Sequence, residues 1–153
     1  MKRLFSTTYN QTFLDAALLT VRIAIASFLL THGIPKLMMF FSDQPIAFAD
    51  PLGVGVEASL AMTVFAEVFC SILLLFGFGT RLALIPLIIL MSVAAFKVHY
   101  YDGFGKQELP LLYLLTYVLL FATGPGRFSL DYLISKKSGN QIPLSTQDSV
   151  HKT

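Results

Sequence analysis

Residues 58–98 read ASLAMTVFAEVFCSILLLF, then GFGT, then R, then LALIPLIILMSVAAFKV. Two apolar blocks, Ala58 to Phe76 and Leu82 to Val98, stand on either side of a four-residue turn. Each approaches the roughly 20 residues of helix needed to cross the hydrocarbon core of a bilayer. The glycines of Gly77-Phe78-Gly79-Thr80 enter positive φ without a steric penalty, which ends a helix. Thr80 can then cap the next one. A soluble helix intersperses polar residues at its own period, and these blocks do not. A spanning chain must be helical or a closed barrel, because lipid satisfies no backbone group. Barrel strands would be short and alternating, so continuous leucine-rich blocks predict helices.

Two further blocks flank this pair, Phe13 to Phe41 and Leu109 to Thr123. The first is long enough to tilt or to extend past the core, and the fourth is short enough to end near the interfaces. Ser42 to Gly55 is a longer connection containing Pro45, Asp50 and Pro51. Asp102-Gly103-Phe104-Gly105 is the third connection, and Gly124-Pro125-Gly126 stops the fourth block. The predicted fold is all-α, an integral membrane four-helix bundle over residues 13–134. A cytoplasmic segment, residues 1–12, precedes it, and a disordered cytoplasmic tail, residues 135–153, follows it. No internal repeat is visible.

Composition points the same way. Hydrophobic residues make up 55% of the 153 and charged residues 13%, against about 25% charged for a soluble domain. A net charge of +2 and the lack of a basic stripe exclude nucleic acid as a partner. Cys70, the one cysteine, has no internal disulfide partner and reads as a small hydrophobe. The polar stretch Met1 to Gln11 and Asp15 argue for a retained first span rather than a signal peptide. Lys2, Arg3, Arg81, Arg127, Lys136 and Lys137 fall on one side of the blocks, whereas Ser42 to Glu57 carries no Lys or Arg. The positive-inside rule then puts both termini in the cytoplasm. Phe40, Phe41, Tyr100, Tyr101 and Phe104 fit an outer aromatic belt, and Phe13, Phe76, Phe78, Phe128 and Tyr132 an inner one.

Ionisable groups inside a span need a partner or a cavity. Counted from the inner ends of their blocks, Arg22 and Glu67 share a depth on adjacent antiparallel helices. This predicts a structural ion pair that fixes register. Four residues separate His32 from Lys36, which puts both on one helix face. Pro35 between them is expected to open the helix at Gly33. His99 ends the third block on the same outer side, Glu108 begins the fourth there, and Tyr113 lies a turn deeper. His32, Lys36, His99, Glu108 and Tyr113 therefore read as a ligand-binding set at the mouth of the bundle, or alternatively as a polar layer wetted from outside. A lysine with a histidine can hydrogen-bond quinone carbonyls while the tail lies between helices. Haem, with His32 and His99 as axial ligands, is a weaker fit. Two histidines are too few for a tight zinc or copper site. No nucleophile–base pair, phosphate loop or dinucleotide fingerprint is present.

These residues resemble the DoxX family. The run His32-Gly33-x-x-Lys36 is similar to its first-span motif, and Arg22 stands at its first-span arginine. Glu67 with the leucine-rich run to Gly77 and Thr80-Arg81 resembles its second motif. Met91, Ala94 and His99 fit its third. Glu108, Tyr113 and Gly124-Pro125-Gly126-Arg127-Phe128-Ser129-Leu130-Asp131 fit its fourth. One departure is Cys70-Ser71, where the family more often has glycines. The resemblance covers residues 13–134 and implies a bacterial inner-membrane protein of four helices. For some members it implies a subunit of a quinone-linked oxidoreductase, with a soluble redox partner or a second copy beside it. The alternatives are a non-catalytic membrane anchor that docks a soluble partner through Arg81 and Arg127 to Lys137, and a small transporter.

Overall fold

The structure, a computed structural model, describes residues 10–139. Among these it is all-helical, with four long helices and one short one. They are α1 (Gln11–Phe41), α2 (Val56–Phe76), α3 (Thr80–Val98), α4 (Phe104–Thr123) and α5 (Leu130–Gly139). The first three are long and apolar enough to cross a membrane. Lys106, Gln107 and Glu108 in the opening turns of α4, with Tyr113 and Tyr117 further along, make that helix less apolar.

Local chemistry sets the helix ends. The Asn10 side chain accepts hydrogen bonds from the Thr12 and Phe13 amides at 3.0 and 3.4 Å and starts α1. At the end of α2, Gly77 is left-handed with φ 66°. There the Phe78 amide donates to the Leu73 carbonyl and the Gly77 amide to the Leu74 carbonyl, a Schellman closure. The cap of α3 differs from expectation. Thr80 is the first helical residue, and the orphan amides of Gly79 and Thr80 donate instead to the Asp131 carboxylate at 2.7 and 2.9 Å. A residue of α5 therefore caps α3, and α5 is pinned beneath the bundle by the return bond from the Asp131 amide to the Gly77 carbonyl.

Successive helices pack side by side, α1 on α2, α2 on α3 and α3 on α4, and α4 also touches α1. Their outward faces are apolar, with Phe28, Ile89, Leu115 and Leu119 exposed. The interior holds Leu29, Leu60, Leu74, Leu84, Leu87 and Leu120, but also Arg22, Glu67, Ser71 and Tyr117, all buried. Greasy outside and polar at selected inner points is the pattern of a protein whose solvent is lipid.

Several expectations are corrected. Pro35 does not open α1, which stays α-helical from Gln11 to Met38. Departures from α geometry are a 3-10 turn over Met39–Phe41 at its end and π turns over Phe65–Cys70 of α2 and Ala94–Val98 of α3. α4 begins at Phe104, inside the predicted loop. The predicted disordered tail starts too early, since α5 runs through Lys136 and Lys137 to Gly139. Residues 1–9 and 140–153, with Lys2 and Arg3 and the remainder of the predicted tail, lie outside the described residues.

Candidate ligand cavity between α2 and α3

Gly33 is buried at the crossing of α1 and α2. A Cβ there would stand 2.8 Å from the Glu67 Cβ and 2.9 Å from Val68 Cγ2. Only glycine lets the backbones meet this closely. That contact brings Lys36, almost one turn further along α1, over the Glu67 carboxylate. Lys36 Nζ donates to Glu67 Oε1 at 2.5 Å, with the Glu67 side chain 6% exposed and that of Lys36 27%.

The expected partner of Glu67 was Arg22, and this is a correction. Arg22 is fully buried, but its guanidinium donates to the Phe128 carbonyl and has the charge of Asp131 within reach. Its neighbour on α2 is Gly77, where a Cβ would collide with the guanidinium. Gly33 with Glu67 and Arg22 with Gly77 belong to one antiparallel register. Arg22 and Gly33 lie about 16 Å apart along α1 at about 1.5 Å per residue. Equal depth was inferred from the edges of the apolar blocks, but the first turns of α1 run past the end of α2. There Asp15 faces the segment after α4, accepting from the Arg127 amide at 3.1 Å.

Above this lies a cavity of about 650 Å³ between α2 and α3, within the range of about 300–1,000 Å³ usual for small-molecule sites. Ser59, Thr63 and Glu67, four residues apart on one face of α2, line one wall. Ile89, Met91 and Ala94 of α3, with His99 just past its end, line another, Lys36 reaches in from α1, and Phe48, Ala49, Pro51 and Leu52 of the first connection close one end. Both π turns adjoin it. Such turns are frequent at functional sites.

The connection is held by Asp50. Its carboxylate accepts from the Gly53, Val54 and Gly55 amides at 2.9, 3.1 and 2.7 Å and from Ser59 Oγ at 2.6 Å. The bond from Ser59, then those amides, hold the Asp50 carboxyl below its ordinary range. Lys97 Nζ donates to the Pro51 carbonyl at 3.1 Å from the other side.

Of the predicted site residues, Lys36 and His99 line the cavity. His32 is exposed and does not line it. Glu108 is exposed and does not line it either. Tyr113 is buried in the core below and does not line it, tilted against Tyr117 with ring centroids 6.0 Å apart. Glu67, read as structural, is thus the centre of the polar set. Sequence reasoning gave no site role to Asp50, Ser59 or Thr63. The spacing of four residues through Ser59, Thr63, Glu67 and Ser71, repeated in Tyr113 and Tyr117, was the available signal. Among the described residues no group of three or more His, Cys, Asp and Glu could hold a metal ion.

The DoxX family model matches residues 17–100. That interval runs from the early turns of α1 past the end of α3 and contains Lys36, Glu67 and His99. The chain belongs to the DoxX family. Among curated relatives, the inner membrane protein YphA of Escherichia coli is 32% identical over 124 residues, 74% of this chain and 87% of that protein. An uncharacterised protein of Haemophilus influenzae is 39% identical over 75 residues, 46% of this chain and half the length of that protein. A second from the same organism is 30% identical over 124 residues, covering 76% and 90%. No solved structure matches. The expected extent of the resemblance, to residue 134, exceeds the matched interval, so Glu108 and Tyr113 fall beyond it.

Proposed function

We propose that this DoxX protein is the membrane subunit of a quinone-linked redox system, spanning a bacterial inner membrane four times and binding the quinone in the cavity between α2 and α3. The observation that carries the reading is the cavity's chemistry. Its walls are apolar except at Lys36, Glu67 and His99 and the hydroxyls of Ser59 and Thr63. A ligand suited to it is a long apolar molecule with one polar head.

Lys36 supplies a charged donor for a head-group carbonyl. Glu67 neutralises that lysine, so a neutral head meets no net charge. Met62, Phe65 and Ile89 line the cavity and are exposed on the lipid face, which suits entry from the bilayer and a tail left between helices. When bound, a quinone supplies electron and proton exchange; the chain supplies binding, orientation and exclusion of water. The fourth span is α4, whose polar first turns sit at the outer interface. The cluster of Arg81, Arg127, Lys136 and Lys137 at the opposite end supports a cytoplasmic location for that end.

The test is chemical analysis of gently purified protein. A prenylated quinone should co-purify near stoichiometry and be lost in Lys36→Met. Added quinone should raise the melting temperature of the stripped protein. If no quinone is retained and no added quinone shifts melting, the reading fails.

A further inference from the structure

His99 closes α3 at the cavity mouth, and its ring is already committed on one side. Nδ1 lies 2.8 Å from Asp102 Oδ2. Asp102 in turn has Lys106 Nζ at 3.6 Å. The turn carrying the pair is tied down by Gln107, whose side-chain amide donates to the His99 carbonyl at 3.0 Å and the Tyr100 carbonyl at 3.3 Å. The bond from His99, against a small desolvation penalty and with help from Lys106, holds the Asp102 carboxyl below its ordinary range. Asp102 is then ionised at neutral pH and can only accept.

An ionised carboxylate at Nδ1 requires the proton there. In the neutral ring the lone pair is then on Nε2, the nitrogen not engaged by Asp102, and His99 lines the cavity. In that neutral form the ring offers a hydrogen-bond acceptor at Nε2. A quinone head carries acceptors only and has nothing to give it. A quinol head carries two O–H donors and does.

We propose that the His99–Asp102 dyad makes the cavity selective for the reduced, hydroxyl-bearing form of its ligand, with His99 the specificity-determining contact and Asp102 its positioning residue. The inference rests on the quinone-site reading above and refines it. The head O–H donates to His99 Nε2, no covalent bond changes, and the ligand remains a quinol.

The experiment uses the full chain in lipid nanodiscs and measures Kd for a benzoquinol with a short isoprenoid tail and for the matching benzoquinone. The wild type should favour the quinol by about tenfold, the ratio for one hydrogen bond of about 1.4 kcal/mol. His99→Phe should bring the ratio near unity while still binding the quinone. Asp102→Asn should reduce the preference and Asp102→Glu should restore it. Independently of any ligand, ¹⁵N spectra of histidine-labelled protein should show the neutral His99 ring protonated at Nδ1, shifting toward the Nε2–H tautomer in Asp102→Asn. A preference that survives His99→Phe, or a tautomer that Asp102→Asn leaves unchanged, overturns the proposal while leaving the quinone site standing. Failure of either compound to bind any variant removes the quinone site and this refinement with it.

Discussion

Lys36 and Glu67 decide the character of the interior. The carboxylate is almost wholly enclosed, and the ammonium is its one bonded partner among the described residues. Removing one member of such a pair costs about 3–5 kcal/mol, because it strands a buried charge, whereas replacing both with apolar residues is often neutral. Lys36 is partly exposed, so the lower end applies. Lys36→Met should lower the melting temperature in detergent strongly, and Lys36→Met with Glu67→Leu should recover most of it. A double variant as unstable as the single one would refute the pairing. Arg22, by contrast, belongs to the opposite end of the bundle, with Phe128 and Asp131. Both roles involve residue types that the sequence displays openly. What it hid was which acid faces which base, since the four charges differ by turns of helix that block edges do not measure.

At the scale of elements, two contacts hold the bundle in register. Gly33 lets α1 and α2 touch. Inserting even a methyl there pushes the Glu67 Cβ and Val68 away, and overpacking of this kind costs about 1–3 kcal/mol. Gly33→Ala should lower the melting temperature and weaken ligand binding together, since the same contact carries Lys36 to the cavity; unchanged binding in a destabilised variant would separate the two. Asp131 is the second contact, capping α3 from α5. Burial raises its carboxyl, but the Thr80 and Gly79 amides and the charge of Arg22 outweigh that and leave it below its ordinary value. A depressed folded-state pKa stabilises the fold above the unfolded value of 3.8, and that contribution is lost as the pH falls through the folded value. Melting temperature should therefore drop on acidification below about pH 4, and Asp131→Asn, less stable at neutral pH, should show a shallower drop. Parallel acid profiles would contradict this. The existence and order of α1 to α4 were legible from apolar block length and glycine turns. The cap from Asp131 was not, because a side chain on the far side of a long chain leaves no local mark. Pro35 misled for a related reason: the helix around it tolerates a missing amide, while the π turns that relax the geometry arise in α2 and α3.

For the whole molecule, the lipid-facing exterior and the buried polar seam are one design. Apolar surface gives helices in lipid no net drive to associate, so close contacts such as that at Gly33 and hydrogen bonds such as that of Arg22 must hold them together. The Lys36–Glu67 pair, brought together by the contact at Gly33, also furnishes the cavity. The membrane class was readable from the long apolar blocks, and two of the five expected ligand residues, Lys36 and His99, line the cavity. His32 and Glu108 are exposed and do not line it, because a depth counted along the sequence says nothing of rotation about the helix axis. The most direct measurement of the central claim is photolabelling of nanodisc-embedded protein with an azido-quinone, followed by peptide mapping. Label should concentrate between Ser59 and Glu67 of α2 and between Ile89 and His99 of α3, and should be displaced by excess unlabelled quinone. Label spread over the outward faces of α1 and α4, indifferent to competitor, would contradict a quinone site in this cavity.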